Sequence, residues 1–233
     1  MPDHPTGPWP IAQNPKKHTG FDRVAWYYDT LAGLVFGQAL KRAQGAALTG
    51  LPAGTPHVLI LGGGTGWVLS EALRRCPRAT VLYLEASPRM LACARARLSR
   101  EHPKAVPQVE FRHGTQAALG PTEDFDVIVT FFVLDCIAPA DMASALGRLR
   151  AALRPGGSWR LADFRPAQRG WRRALLALMY AFFRLTTGLR AQELPDLHPA
   201  LTRLGLRPTS CGTFFGGAVE AVVFTHKPVL LHP

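Results

Sequence analysis

The apolar and polar residues of this chain alternate between short apolar segments and longer amphipathic stretches. Five short segments, bounded by glycine, proline or polar residues, have the length of buried strands. They are Val58–Leu61, Thr80–Leu84, Val109–His113, Phe125–Thr130 and Trp159–Asp163. Between these segments, apolar residues three and four positions apart predict helices. Strands that alternate with helices predict an α/β protein built on a mostly parallel sheet.

Capping residues and glycines predict where several elements begin and end. A helix is predicted over Thr65–Arg75, which a proline follows closely. Ser87 is predicted to cap the next helix, because a serine directly before a proline is typical of a helix start. Asp141 is predicted to cap the helix between the fourth and fifth strands. Near the C-terminus, Arg207–Phe214 and Val219–His226 are joined through two glycines and predict an antiparallel hairpin.

The first predicted strand ends in the turn Gly62-Gly63-Gly64-Thr65-Gly66. Glycines let a ligand approach the backbone closely, and the helix N-terminus behind them favours a carboxylate or a phosphate. No Gly-Lys-Ser/Thr follows, which excludes a P-loop, and the third glycine of the dinucleotide fingerprint is replaced by Trp67. Glu85 follows at the end of the second strand, at about the 20-residue spacing from which a carboxylate reaches ribose hydroxyls. The turn and the acid together predict a ligand that contains a ribose.

Four motifs follow one another along the chain, and their order and spacing identify a protein family far more reliably than any single motif. They are V-L-I-L-G-G-G-T-G at residues 58–66, Y-L-E-A-S at 83–87, F-D-V-I-V-T at 125–130 and L-R-P-G-G-S-W-R-L-A-D-F at 153–164. In these motifs the chain, from about residue 20 to 227, resembles the class I S-adenosylmethionine-dependent methyltransferases. The alternative is a glycine turn in another nucleotide-binding α/β protein.

The resemblance implies a fold, a domain and a cofactor. The fold is a Rossmann-like sheet of seven strands in the order 3-2-1-4-5-7-6, with the last strand antiparallel and helices on both faces. A single methyltransferase domain would cover residues 20–227, between an N-terminal arm at 1–19 and a tail at 228–233. The cofactor would be S-adenosylmethionine, with its amino-acid end at the glycine turn and its ribose at Glu85. The residues implied to bind it are Gly62, Gly63, Gly64, Gly66, Glu85, Ala86, Gly114, Thr115 and Thr130.

Two residues depart from the family pattern at the cofactor site. Ile60 stands inside the first strand, where many relatives place an acid, and it continues the apolar core instead. Thr115 stands where an acid near the adenine is common, so a hydroxyl and a backbone N–H remain for that contact. These departures motivate one alternative function, a cofactor-binding protein without catalytic activity.

Two segments are candidates to cover the acceptor. The stretch F-D-R-V-A-W-Y-Y-D-T-L, within residues 20–50, resembles the N-terminal lid of ubiquinone/menaquinone-type C-methyltransferases, and Tyr28 would then close the pocket. Its aromatic residues also fit plain helix packing. Residues 171–190 contain a helical pattern that is apolar on two sides, starting at Trp171 and including Tyr180. This pattern is typical either of a core helix or of a helix that contacts an apolar substrate or a membrane surface.

Methyl transfer from a sulfonium requires orientation and exclusion of water, and it requires a base only if the acceptor loses a proton. The loop after the fourth strand faces the methyl group in this fold, which makes Asp135 the best-placed candidate base. Capping a turn is the alternative role for Asp135. That loop lacks the (Asp/Asn)-Pro-Pro-aromatic motif of methyltransferases acting on DNA bases and the proline-cysteine pair of cytosine C5 enzymes. The acceptor is predicted to contact Tyr28, Phe131, Phe132, Asp163, Trp171 and Tyr180.

Charge and cysteine content change the picture only slightly. The formal net charge is +11, and the arginine excess is concentrated at residues 148–190. A nucleic-acid or lipid surface and ordinary solvated helix faces both explain it. The four cysteines have no zinc-site spacing, so no metal is predicted. Without the apolar region of a secretion signal near the N-terminus, we expect a cytoplasmic protein, with peripheral membrane contact left open.

The sequence therefore predicts an enzyme that methylates a small, apolar or amphipathic acceptor, such as a quinone precursor or a lipid. An RNA methyltransferase is the second hypothesis, motivated by the arginine excess. The non-catalytic cofactor-binding protein is the third. The sequence sets neither the methylated atom nor the oligomeric state.

Overall fold

The computed structural model describes residues 38–165 and 196–226 of the 233-residue chain. The predicted arm, the residues of the lid before Gln38, the 171–190 segment and the tail lie outside these residues. The strands are β1 (His57–Leu61), β2 (Thr80–Glu85), β3 (Val109–His113), β4 (Phe125–Phe131), β5 (Leu153–Phe164), β6 (Leu206–Phe214) and β7 (Val219–His226). The α-helices described are α1 (Ala39–Ala47), α2 (Trp67–Arg75), α3 (Pro88–Glu101), α4 (Pro139–Ala151) and α5 (Leu197–Arg203).

The strands form one seven-stranded sheet in the order β3-β2-β1-β4-β5-β7-β6. Strand β1 pairs in parallel with β2 on one side and with β4 on the other. Strand β7 runs antiparallel to both β5 and β6. The predicted order and the antiparallel last strand are thereby confirmed. The order reverses between β1 and β4, and in such sheets the ligand crevice lies beyond the carboxyl ends of the strands at this point.

Helices cover both faces of the sheet because the central strands are apolar on both sides. Ile60 faces a core layer that contains residues of α1, α2 and α3, with 1% of its surface exposed. Its neighbours Leu59 and Leu61 face the opposite layer, which contains residues of α4 and α5. Two buried faces explain why β1 is a continuous apolar run. Ile60 is thus a core residue, as predicted.

Two predicted helix starts differ in the structure, and a third is confirmed. Helix α2 begins at Trp67, because Gly66 adopts a left-handed conformation with φ of 90°. Helix α4 begins at Pro139 after Ala138, so the prediction of Asp141 as its cap is wrong. The fixed φ of proline suits the first helical position, and the negative charge of Asp141 within the first turn interacts favourably with the helix dipole. The predicted cap Ser87 is confirmed, since its hydroxyl accepts a hydrogen bond from the Met90 N–H at 3.2 Å.

The arginines of residues 148–165 bind other parts of the protein. Arg160 is buried, and its guanidinium donates to the carbonyl oxygens of Thr49 at 2.6 Å and Gly50 at 2.7 Å, just after α1. Arg154 forms ion pairs of 2.8 and 2.9 Å with Asp124 and Asp126. The side chains of Arg148 and Arg150 donate to the backbone carbonyls of Leu119 and Leu204. This part of the basic stretch therefore contributes to the fold, which weakens the argument for a nucleic-acid surface.

Among the described helices, none is long and apolar enough to cross a membrane.

Candidate cofactor and acceptor site

The glycine turn after β1 is shaped by the residues that pack against it. Gly62 has φ of 66°, and a Cβ at this position would lie 2.4 Å from a methyl group of Val133. A Cβ on Gly63 would lie 2.5 Å from the ring of Tyr83 on β2. Both distances are far below van der Waals contact, so these two glycines are required by packing inside the protein.

The other two predicted glycines have different surroundings. A Cβ on Gly66 would lie 2.8 Å from the backbone of Ala94, so this glycine allows α2 and α3 to pack closely. Around Gly64 the space is open, since the nearest atom to an added Cβ is the Met90 sulfur at 3.7 Å. The Tyr83 hydroxyl on β2 donates a 2.9 Å hydrogen bond to the Gly64 carbonyl, and this bond stabilises the turn. Gly64 is therefore the point where a ligand can approach the backbone.

Glu85 connects the end of β2 to the glycine turn. It is 6% exposed, and its Oε2 accepts a hydrogen bond from the Gly64 N–H at 3.0 Å. Its Oε1 accepts from the Ser87 N–H at 2.9 Å. Burial raises the pKa of Glu85, while these backbone N–H groups act in the opposite direction. An ionised carboxylate accepts about four hydrogen bonds, so the N–H groups of Gly64, Ser87 and Ala86 leave it capacity for a ligand hydroxyl.

The end of β3 lies beside Glu85. The Gly114 N–H donates to the Glu85 carbonyl at 2.9 Å, and the His113 ring nitrogen Nε2 lies 2.9 Å from the Ala86 carbonyl. The Thr115 hydroxyl accepts a 3.4 Å hydrogen bond from an N–H in the short turn that follows. The structure thus brings together the predicted cofactor residues of the first three strands. His113 holds the Ala86 loop, a contact that sequence spacing did not predict.

Thr130 differs from the other predicted cofactor residues. Its side chain is fully buried, and its hydroxyl accepts a 2.8 Å hydrogen bond from the indole N–H of Trp159 on β5. The hydroxyl therefore satisfies a buried donor in the core. Only strand pairing places this tryptophan beside Thr130, and a role of Thr130 in cofactor binding stays a prediction.

The two phenylalanines after β4 occupy different environments. Phe131 is 6% exposed and packs in the core. Phe132 is partly buried, has φ of 53° and lies with its ring 5.1 Å from the ring of Phe164. Such a backbone conformation is unfavourable for a bulky residue and is typical of constrained functional sites. Phe132 is therefore a better candidate than Phe131 for contact with an acceptor.

Two acidic side chains, Asp135 and Asp163, follow β4 and lie near the end of β5, respectively. Asp163 is 1% exposed, and its Oδ1 accepts a 2.8 Å hydrogen bond from the Phe164 N–H. Burial first, and then the negative charge of Asp135, raise the pKa of Asp163 well above its usual range. The Cys136 thiol donates to Oδ1 of Asp135 at 3.4 Å. Burial, followed by the nearby carboxylates, raises the pKa of Cys136.

Three predicted acceptor residues, Tyr28, Trp171 and Tyr180, lie outside the described residues. In residues 38–165 and 196–226, no group of three or more His, Cys, Asp or Glu side chains is placed to hold a metal ion. The described part of the candidate site consists of the glycine turn, Glu85, the end of β3 and the acids after β4 and on β5.

Comparison with known proteins agrees with this geometry. A family described as "Methyltransferase domain" matches residues 59–159, from β1 into β5. Trans-aconitate 2-methyltransferase of Methylobacterium nodulans is 34% identical over 131 residues, which is 56% of this chain and 47% of that protein. Demethylmenaquinone methyltransferase of Thermus thermophilus is 32% identical over 152 residues, which is 64% of this chain and 66% of that protein. The chain thus spans between about half and two thirds of the length of these curated relatives.

The fold also matches a solved structure with a bound cofactor product. The N-methyltransferase NodS of Bradyrhizobium japonicum, in complex with S-adenosyl-L-homocysteine, superposes with a TM-score of 0.65 at 16% identity. The match covers 90% of this chain and 98% of that chain. The family match includes the glycine turn, Glu85 and the loop after β4. Residues 59–159 therefore match a methyltransferase domain, and the sheet around them has the fold of the class I S-adenosylmethionine-dependent methyltransferases.

Proposed function

We propose that this chain transfers the methyl group of S-adenosylmethionine to a small, neutral acceptor of apolar or amphipathic character. The observation that carries the proposal is the hydrogen bond from the Gly64 N–H to Glu85, which joins the glycine turn of β1 to the acid of β2. It places open backbone and a carboxylate with spare acceptor capacity next to each other at the point where the strand order reverses.

The residues present fit the family's cofactor. The open face of Gly64 and the N-terminus of α2 suit the carboxylate of its amino-acid end. Glu85 suits a ribose hydroxyl, and Gly114 with the backbone of Thr115 lies on the side assigned to the adenine. When bound, the cofactor supplies the activated methyl group, so the protein has to orient the acceptor and exclude water.

The acceptor side favours a neutral molecule. Asp135 follows β4, Asp163 is buried near the end of β5, and burial together with the negative charge of Asp135 raises the pKa of Asp163. Carboxylates in these positions would repel a negatively charged acceptor. The repulsion energy would be larger in a buried site of low dielectric than in water. trans-Aconitate, which the name of the Methylobacterium relative contains, is a tricarboxylate and is therefore a poor fit to this chain. A phenol, hydroquinone, alcohol or amine is a better one.

The proposal is tested with purified full-length protein. Titration calorimetry with S-adenosylmethionine and S-adenosylhomocysteine should show binding of both. Labelled methyl transfer should then appear with a hydroquinone, a simple phenol or an amine, and not with trans-aconitate. Binding without transfer to any neutral acceptor, including those in an organic-soluble cell extract, would support the non-catalytic alternative. Absence of cofactor binding would refute the proposal.

A further inference from the structure

Asp163 has one carboxyl oxygen that the fold does not use. Oδ1 accepts a 2.8 Å hydrogen bond from the Phe164 N–H, whereas Oδ2 is buried and has no hydrogen-bond partner within the described part of the chain. Buried polar atoms without a partner are costly and rare in folded proteins. A ligand that pairs with Oδ2 would remove this cost.

The surroundings of Asp163 oppose a negative charge on its side chain. Glu220 lies directly opposite on β7, and the Cβ atoms of such a pair are about 4.5–5.5 Å apart. The basic groups nearby contact Glu220, which lies 3.1 Å from the His198 ring nitrogen Nε2 and 3.4 Å from Arg165. A buried carboxyl without a cation of its own takes up a proton. Burial first, and then the negative charge of Asp135, raise the pKa of Asp163 accordingly.

A neutral Asp163 carries its proton on Oδ2. Oδ1 already accepts the Phe164 N–H, so Oδ1 is the carbonyl oxygen of the acid and Oδ2 is its hydroxyl. A buried carboxylic acid that stays neutral can donate a hydrogen bond to a ligand. The side chain therefore offers a ligand a hydrogen-bond donor and no charge.

A short segment after β4 connects the cofactor turn to the end of β5, where Asp163 lies. The Phe132 N–H donates a 2.9 Å hydrogen bond to the carbonyl of Ala162, the residue before Asp163. Val133, the next residue, fills the space beside Gly62, since a Cβ added to that glycine would lie 2.4 Å from its methyl group. Asp163 thus lies on the side of β4 and β5, where the acceptor is proposed to bind.

We propose that Asp163 binds the acceptor as a neutral carboxylic acid, whose Oδ2–H donates a hydrogen bond to an oxygen of the acceptor other than the atom that is methylated. This inference rests on the proposed function. Asp163 then selects the acceptor and sets its orientation, and it takes no proton from it.

The acceptor class follows from this contact. A hydrogen bond donated to the reacting atom would occupy the lone pair that attacks the methyl carbon, so the bonded oxygen belongs to a second group. An anionic oxygen would add a charge beside Glu220 in a buried site, where repulsion is stronger than in water. The acceptor is therefore a neutral molecule with a carbonyl, hydroxyl or ether oxygen in addition to the atom that is methylated.

The test uses two probes that differ in one oxygen. Acetophenone presents a carbonyl oxygen and no donor hydrogen, and isopropylbenzene has a similar shape with a methyl group in place of that oxygen. Binding of each probe to protein saturated with S-adenosylhomocysteine is measured by ligand-observed NMR titration, and the ratio of the two dissociation constants is compared between variants. Taking this ratio within each variant cancels the different hydration of the probes.

Three variants give distinct results. Asp163→Leu removes the donor, so the ratio should shift against the ketone by about 2- to 10-fold. Asp163→Asn has the shape of the neutral acid, with the amide oxygen on the Phe164 N–H and the NH₂ at the position of Oδ2, so it should keep the ratio of the unmodified protein. Asp141→Leu is the matched control, because Asp141 is an exposed acid on α4, and it should also keep the ratio.

The outcomes separate this inference from the proposed function. An unchanged ratio in Asp163→Leu would overturn the contact. A shift in favour of the ketone in Asp163→Leu or Asp163→Asn would show that Asp163 is ionised, which overturns it as well. If neither probe binds although S-adenosylhomocysteine does, the inference fails while the proposed function is judged on labelled methyl transfer. Absence of S-adenosylhomocysteine binding means that the proposed function fails, and the inference with it.

Discussion

Replacement of Glu85 by glutamine separates the fold from cofactor binding. In the structure the two carboxylate oxygens accept N–H groups from Gly64 at 3.0 Å and Ser87 at 2.9 Å. Glutamine keeps the shape but has one acceptor oxygen, so one of these N–H groups would face an amide NH₂. Loss of that hydrogen bond costs about 1–3 kcal/mol. Removal of a buried charge, whose penalty is reflected in the raised pKa of Glu85, offsets part of it, so we expect a small change in the free energy of unfolding.

The effect on the cofactor should be larger than the effect on the fold. Hydrogen bonds from hydroxyls to a charged carboxylate contribute about 1.5–3 kcal/mol each, and those to a neutral amide about 0.5–1.5 kcal/mol. Glutamine also accepts at one oxygen in place of two. A net loss of about 1.4–2.8 kcal/mol weakens binding about 10- to 100-fold.

The assay is titration calorimetry with S-adenosylhomocysteine, combined with thermal unfolding of the same samples. Glu110→Gln is the matched control, because Glu110 is on the neighbouring strand β3 with a side chain 62% exposed and pairs with Arg112. It should leave affinity unchanged. If a folded Glu85→Gln protein binds the ligand as tightly as the unmodified protein, Glu85 does not hold the ribose and the orientation of the cofactor is wrong.

Three further substitutions test other contacts. Gly63→Ala should lower the free energy of unfolding by about 1–3 kcal/mol, because the new methyl group would collide with the Tyr83 ring. A denaturation midpoint equal to that of the unmodified protein would show that the ring moves aside freely. Arg160→Met should destabilise the protein by about 1–3 kcal/mol in urea unfolding, since it removes the donor to the buried Ala47 carbonyl and to the carbonyls of Thr49 and Gly50. Asp163→Asn should be more stable than the unmodified protein at neutral pH. Because the pKa of Asp163 is raised by folding, its stabilising contribution is complete below the pKa of the unfolded chain and is lost as the pH rises. Stability curves of the two proteins that stay parallel from pH 4 to pH 8 would contradict this.

Contacts of the described arginines within the protein weaken the hypothesis of an RNA methyltransferase. An RNA-binding surface needs guanidinium groups free to contact phosphates. Arg154 and Arg160, the two best-defined cases, are held by acids and by backbone carbonyls. A high content of arginine is therefore weak evidence for a nucleic-acid partner when the side chains complete the fold.

The elements that sequence predicted well are those set by local chemistry. Strand β1 is apolar from Val58 to Leu61, Ser87 precedes a proline at a helix start, and the glycine turn has no side chains where the backbone bends. Each of these signals is carried by a few consecutive residues. Glu85 was predicted to reach ribose hydroxyls from its spacing alone, and the structure adds a direct hydrogen bond to it from the Gly64 N–H of the turn.

Contacts between residues far apart in the chain were decided by the tertiary structure. Strand pairing puts the Trp159 indole on the Thr130 hydroxyl, so this side chain has a buried partner that sequence spacing does not indicate. Folding also places the Arg160 guanidinium on the carbonyls after α1, more than a hundred residues earlier. The ionisation of Asp163 depends on burial and on the charge of Asp135, which comes from another element. Residue type and spacing specify which groups a chain has at the edge of its sheet, but the pKa and the free hydrogen-bonding capacity of each group depend on neighbours that only the folded chain brings within a few ångströms.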